Sequence, residues 1–256
     1  MNIEIMIDTD KQIARLRRIR QNEAASHIEV YTHEKLYDSD TWLKKPIKTM
    51  QDIMPSFFDY KDLRVLDLGC GVGRNSIYIA KAFEGETCTV DCVDILDVAI
   101  EILKKNSKEY NVEHRINGIV KPIEKFKIEK GSYDLILAIS ALEHIDSESH
   151  FSDKLCEIAQ GIRTGGIVCL VINSEVTKVD IENGKVLEPN FEVNLKSDQI
   201  MTYLDEFFEG WAVIKKIIAN QEYEIPRDGK TSKLSTNVIT FVARLVGPAL
   251  EKIQSC

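Results

Sequence analysis

Apolar positions between residues 63 and 174 keep two rhythms in turn. Short aliphatic and β-branched runs at 63–68, 89–94, 115–120, 133–139 and 166–173 have the length and make-up of strands. Between them, apolar side chains return every three or four positions: Ile79, Ala80 and Phe83 after Ser76; Ala99, Ile102 and Leu103; Phe151, Leu155, Ile158, Ala159 and Ile162. That spacing lines one face of a helix. Strands separated by helices predict right-handed crossovers and a parallel sheet covered on both faces. The near-continuous apolar runs LILAI (135–139) and IVCLVI (167–172) suit strands buried on both sides.

The flanks follow other patterns. Thr9-Asp10-Lys11-Gln12 reads as a capping box opening a helix that carries Ile13, Leu16 and Ile19 beside Arg15, Arg17, Arg18 and Arg20. The arginines read as a solvated helix face, with an anion-binding arm as the other reading. A second amphipathic segment (Trp42, Leu43, Ile47, Met50, Ile53, Met54) is started or kinked by Pro46. Beyond residue 173, Asn183-Gly184 signals a hairpin within 179–187, and Ser197 is placed to cap a helix buried through Ile200, Leu204, Phe207 and Phe208. This stretch predicts an inserted cover at about 174–210. Two strand-like runs, 211–225 and 237–245, joined by the turn Pro226-Arg227-Asp228-Gly229, predict a closing antiparallel pair.

Composition narrows the function classes. The chain has 256 residues, 44% of them hydrophobic, enough for one domain with elaborations. No apolar run approaches the roughly 20 residues of a membrane helix, and the N-terminus lacks the layout of a signal peptide. The expectation is a cytoplasmic protein with no membrane partner. Cys70, Cys88, Cys92, Cys156, Cys169 and Cys256 are scattered, with no C-x-x-C pair and no histidine at zinc-finger spacing. They read as reduced, mostly buried thiols, and no metal site is expected. A net charge of -8 works against a nucleic-acid partner, whose affinity rests on phosphate neutralisation, and favours a small molecule.

The candidate chemistry centres on VLDLGCGVGRN (65–75), three alternate glycines between a strand and a helix. That context lets a ligand lie against bare backbone near a helix N-terminus. A dinucleotide fold wants its third glycine at position 74, where this chain has Arg74, and the G-x-x-x-x-G-K-[ST] triphosphate cradle is absent.

The acid followed by x-G-x-G-x-G, here Asp67, Gly69, Gly71 and Gly73, resembles motif I of the class I S-adenosylmethionine-dependent methyltransferases. The resemblance implies a three-layer, Rossmann-like α/β sandwich with a mostly parallel seven-stranded sheet and an antiparallel C-terminal strand pair. It implies S-adenosyl-L-methionine as cofactor, the backbone of Gly69, Cys70 and Gly71 beside its methionine portion, and Asp67 addressing its amino group. Asp94, at the end of the second strand, falls where the family takes both ribose hydroxyls; a helix N-cap is the other reading of that residue. Trp42, Arg74, Asn75, Ile95 and Ile139 complete the implied cofactor wall. Residues 1–60 become a helical segment covering that site, and 61–256 the methyltransferase domain. Tyr133 to Ile139 with Leu142-Glu143-His144 looks like motif IV and its continuation, and Arg163-Thr164-Gly165-Gly166 like the turn before strand five. The family's frequent adenine-binding acid after strand three has no counterpart in 118–123. Gly73 to Tyr78, Phe208-Glu209-Gly210-Trp211, Glu222 and Val242-Ala243-Arg244 are similar to the tellurite-resistance branch of small-molecule methyltransferases.

The implied reaction is in-line displacement on a sulfonium, so the protein's task is to align the reactants and exclude water. Cys70 sits in the cofactor loop and reads as packing. For a hydroxyl or amine acceptor a proton must leave. His144 is the only histidine in the predicted active-site loop and the candidate base, with a cap or a buried hydrogen-bonder as the plainer role. His150 begins the next helix. Trp42 closes over the cofactor or merely buries a ring, and Arg227 and Lys230 are candidates to meet an anionic substrate. The expected function is methyl transfer to a small-molecule acceptor. A non-catalytic binder of the cofactor and a methyltransferase acting on a macromolecule stay as alternatives, and a homodimer is left open. Residues 140–144, 175–194 and the segment around Trp42 are expected to converge at the carboxyl ends of the strands.

Overall fold

The alternating rhythm builds one sheet flanked by helices in a computed structural model that describes residues 3–39, 41–227 and 230–247. β1 (Asp62–Leu68), β2 (Thr87–Asp94), β3 (Ile116–Val120), β4 (Tyr133–Ile139) and β5 (Ile162–Asp180) run parallel, connected through α3 (Ser76–Ala82), α4 (Asp97–Glu109) and α5 (Glu148–Gly161). β7 (Ala212–Arg227) and β8 (Lys230–Arg244) close the sheet in the order β3-β2-β1-β4-β5-β8-β7. β8 pairs antiparallel with both β5 and β7, so β8 alone of that pair opposes the parallel strands.

Period-2 alternation sorts each strand's side chains between two cores. Leu63, Val65, Leu135, Leu137, Ile167 and Cys169 pack against Ile77, Ile79 and Leu103 of α3 and α4. Leu66, Leu68, Ile136, Ala138, Val168 and Leu170 pack on the other face against Phe151, Leu155 and Ile158 of α5 and Ile200 and Leu204 of α6 (Ser197–Phe207). This is the expected three-layer sandwich, its strands apolar on both sides because both sides are covered.

Four local readings change. The first helix, α1, runs Ile3–His33, so Thr9 lies inside it and does not open it. Proline at 46 stands two residues ahead of α2 (Lys48–Ile53), leaving Trp42 in the preceding turns rather than on a helix. Ser197 is the first helical residue of α6, with Lys196 in the cap position. Its hydroxyl instead meets Ser174 at 2.9 Å and Glu175, and accepts from Asn237 Nδ2 at 3.1 Å, fastening the helix to the sheet. Finally, β5 continues past residue 173 through a bulge to Asp180 and pairs antiparallel with a two-residue β6 (Val186–Leu187), which adds an eighth strand to the sheet. The cover therefore begins as an extension of the sheet itself. Gly184, at φ +68°, supplies the left-handed turn of this hairpin. Asp228 and Gly229 of the later turn lie outside the described residues.

Cys70, Cys88, Cys92 and Cys169 are free, buried thiols. Cys156 is not among the free ones, and Cys256 lies outside the described residues.

Candidate active site

β1 ends at Leu68, and the chain turns through Gly69, Gly71 and Gly73 at φ +74°, +53° and +93°, values that a side chain resists. All three glycines have a second constraint, a Cβ on Gly73 standing 2.4 Å from Leu103 Cδ1. A Cβ on Gly69 would stand 2.4 Å from Ala141 Cβ, and one on Gly71 2.7 Å from Tyr31 Oη. The loop is sewn to the end of β2: Gly69 N and Cys70 N donate to Val93 O at 2.8 and 3.0 Å, and Gly71 N to Asp94 Oδ2 at 2.9 Å. Asp94 Oδ1 accepts Leu96 N at 2.9 Å, one residue short of α4, whose cap position is Leu96. Asp94 thus links two backbone segments and is not the N-cap of α4. Burial raises its pKa, against the pull of those N–H donors.

The remaining cofactor candidates take different places. Asp67 is buried, accepts the Ser76 hydroxyl and does not line the cavity below the loop; burial pushes it up to about 7. Cys70 lines the cavity, but burial and neighbouring Cys92 push its thiol up, which suits packing rather than nucleophilic attack. The Arg74 guanidinium lies 4.8 Å over the Trp42 ring and donates to Trp42 O at 3.2 Å; the ring is 47% exposed, at the rim. Asn75 Oδ1 accepts Ile47 N at 3.1 Å, and Tyr37 Oη donates to Arg74 O at 2.8 Å, so the N-terminal segment is threaded onto the glycine loop. Ile95 and Ile139 line the same cavity from the ends of β2 and β4.

That cavity, about 890 Å³, sits at the carboxyl ends of the parallel strands. The loop after β4, the cover and the segment around Trp42 do converge on it. α1 joins them, which periodicity alone did not reveal. Arg20, Glu23, Ala24, His27 and Tyr31 share one helical face and all line the cavity. The arginine run is correspondingly not a merely solvated face. Arg15 Nε meets Glu188 Oε1 at 2.7 Å and its other nitrogens reach the carbonyls of Phe191 and Glu192; Arg18 pairs with Glu188; Arg20 pairs with Glu124 at 2.8 Å and approaches Glu192 at 3.4 Å. Glu124, one residue past the acid-free stretch 118–123, lines the cavity while held by Arg20.

His144 stands on this wall. Its ring stacks on Phe191 at 5.2 Å, and Nδ1 lies 2.9 Å from Glu192 Oε2. Burial disfavours the charged ring, but the Glu192 hydrogen bond and the charges of Glu143 and Glu192 outweigh it, and the pKa is raised. Nδ1–H donating to Glu192 leaves Nε2 free to accept a proton, and Nε2 has no hydrogen-bond partner among the described residues. Glu143, the neighbour that sequence reasoning passed over, is 1% exposed and accepts from Asn173 N and Nδ2. His150 lies on the first turn of α5, its N–H donating to the cap residue Ser147. The side chains of Arg227 and Lys230 lie outside the described residues.

Among the described residues no group of three or more His, Cys, Asp or Glu side chains could hold a metal ion, and no helix is long and apolar enough to cross a membrane. The donor set fits S-adenosylmethionine: a bare glycine backbone, a carboxylate with spare acceptor capacity at Asp94, and a cavity large enough for the cofactor with an acceptor beside it.

Comparison with known proteins agrees. Residues 65–166 match the family described as a methyltransferase domain. Malonyl-[acyl-carrier protein] O-methyltransferase 2 of Ilyobacter polytropus is 24% identical over 165 residues, 63% of this chain and 58% of that protein. Protein arginine N-methyltransferase 1 of Chlamydomonas reinhardtii is 27% identical over 114 residues, 42% of this chain and 32% of that protein. The chain thus spans less than two thirds of the length of these curated relatives. TehB from Haemophilus influenzae shares the fold at a TM-score of 0.56 and 18% identity, over 76% of this chain and 61% of that one. The matched segment is similar to a methyltransferase domain, and the strand order shares the fold of TehB.

Proposed function

We propose that the protein transfers a methyl group from S-adenosylmethionine to a small-molecule acceptor by in-line displacement, in the cytoplasm, with residues 1–60 acting as a lid. One observation carries this reading: the glycine cradle and the His144–Glu192 pair face a single cavity roofed by α1 and by the cover at Phe191 and Glu192. A cavity of about 890 Å³ has room for the cofactor with a small acceptor beside it, which favours a small molecule.

When bound, the cofactor supplies a methyl group already activated by its sulfonium. The protein's residues do the rest. Gly69 to Gly71 and Asp94 hold the donor against the strand ends. Tyr31 and His27 close over the loop from α1, their rings stacked at 5.3 Å, and exclude water. His144 Nε2 receives the acceptor's proton, while Glu192 orients the ring and offsets the charge it gains.

The test is incubation of purified protein and radiolabelled S-adenosylmethionine with metabolite, protein and RNA fractions. Label is expected in the metabolite fraction. Label confined to protein or RNA supports a macromolecular acceptor, and cofactor binding without label anywhere supports the regulatory alternative. His144→Ala is expected to lower turnover on a hydroxyl or amine by roughly 10²–10⁴-fold with cofactor affinity little changed.

A further inference from the structure

We infer that the acceptor is a cation, an amine that enters protonated and is gripped at Glu143. This rests on the methyl-transfer reading above and names its substrate class. Four acidic side chains, Glu23, Glu124, Glu143 and Glu192, line the cavity together with the guanidinium of Arg20. Arg20 Nη2 pairs with Glu124 at 2.8 Å, its Nε lies 3.4 Å from Glu192 and is buried without a hydrogen-bond partner, and the His144 ring is taken by Glu192 at 2.9 Å. The other guanidinium on the wall, Arg74, lies on the glycine loop against Trp42. An anionic acceptor therefore meets four acidic side chains and, besides Arg74 on the glycine loop, one guanidinium already paired with Glu124.

Glu143 supplies the positive side of the inference. It forms part of the cavity wall, is 1% exposed, and is fixed through Oε1 by the backbone and side chain of Asn173. Its Oε2 is buried without a hydrogen-bond partner. Burial raises the pKa of this carboxyl, and a donor of opposite charge from a ligand is what would hold it ionised. An ammonium offers both the hydrogen and the opposite charge. Glu23, whose only ion-pair partner among the described residues is His27 at 3.6 Å, adds to the same field. Burial holds His27 below its ordinary pKa, so it leaves that charge uncompensated at neutral pH.

The chemistry balances. His144 Nε2 takes one proton from the bound ammonium, freeing the nitrogen lone pair. That pair forms the new N–C bond as the C–S bond breaks, and the electrons of the C–S bond return to sulfur. The product leaves as an N-methylammonium.

The experiment splits a metabolite extract at neutral pH on ion-exchange resins into cationic, neutral and anionic pools, and offers each to wild-type protein with radiolabelled cofactor. Label in the cationic pool is expected, with a panel of primary alkylamines and diamines as defined probes. Label only in the neutral or anionic pool overturns the cationic acceptor and leaves methyl transfer standing. No label in any pool, with cofactor bound, counts against methyl transfer to a metabolite and removes this inference with it. Glu143→Gln, which keeps the size and the Asn173 contact, is expected to lower kcat/KM for the labelled amine by about 10- to 100-fold through KM, with S-adenosylhomocysteine affinity within twofold as the check on folding. Unchanged kinetics in that variant overturn the role of Glu143.

Discussion

Asp94 accepts two backbone N–H groups before any ligand arrives, one from the glycine loop and one from the approach to α4. The sequence suggests that Asp94→Ala weakens cofactor binding and spares the fold. With the Gly71 and Leu96 donors on view, the expected outcome is a loss of both: weaker S-adenosylhomocysteine binding by calorimetry, and a stability loss of about 1–3 kcal/mol for the stranded donors by thermal melting. An unchanged melting curve would show that water replaces the carboxylate at no cost. His144 makes a separate prediction. Its folded pKa is raised above the ordinary value of about 6.5, so its attraction to Glu192 adds stability below that pH and fades as pH rises through the folded value. Catalysis by the neutral ring gains over the same interval. Glu192→Gln is expected to move the acidic limb of the kcat/KM profile to lower pH; a limb that stays in place assigns that titration to another group. Glu23, His27 and Glu143 also act on this ring, and Arg20 on its partner Glu192, so the limb belongs to the cluster rather than to one pair.

At the scale of elements, α1 is the part whose role periodicity could not supply. Its apolar positions, Ile19 and Tyr31, are buried as a helix stripe should be, yet the arginines beside them find their carboxylates far along the chain, Arg15 reaching Glu188 across 173 residues. Nothing in the local spacing of charges could announce partners that only the folded sheet brings close. Pairs between exposed groups contribute about 0–1 kcal/mol each and are screened by salt, whose Debye length falls to about 3 Å at 1 M. Arg15 and Arg18 with Glu188 are such pairs, so raising salt is expected to speed cofactor release severalfold in stopped-flow measurements. In an Arg15→Ala, Arg18→Ala double variant release should already be fast and much less responsive to salt. Equal salt response in both proteins would locate the lid's hold in Ile19 and Tyr31 instead.

For the molecule as a whole, binding within a roofed cavity should be visible as stability. A ligand present at 100 times its Kd stabilises the folded state by about 2.7 kcal/mol. In a chain of this length each kcal/mol raises Tm by about 2–4 °C, so S-adenosylhomocysteine at that concentration is expected to lift Tm by about 5–11 °C in a melting scan. NAD at the same concentration should leave it unmoved, because Arg74 stands where a dinucleotide loop needs glycine. A shift with NAD and none with S-adenosylhomocysteine would overturn the cofactor assignment.

Short-range order was legible in the residues themselves. The period-2 and helical rhythms located β1 to β4, the middle of β5 and α3 to α5, and the motif I resemblance carried by Asp67, Gly69, Gly71 and Gly73 implied the ligand class, because both depend on neighbours along the chain. The sequence also marked Asp94 and His144, though not what each would hold. Tertiary structure alone decided that Asp94 clamps Gly71 and Leu96, that Ser197 fastens rather than caps, and that β5 grows an extra hairpin. It alone brought Arg20, Glu124, Glu143 and Glu192 around His144. Those contacts join residues separated by whole elements, and their energies depend on burial and on distances in space, quantities that no pattern along a single chain contains.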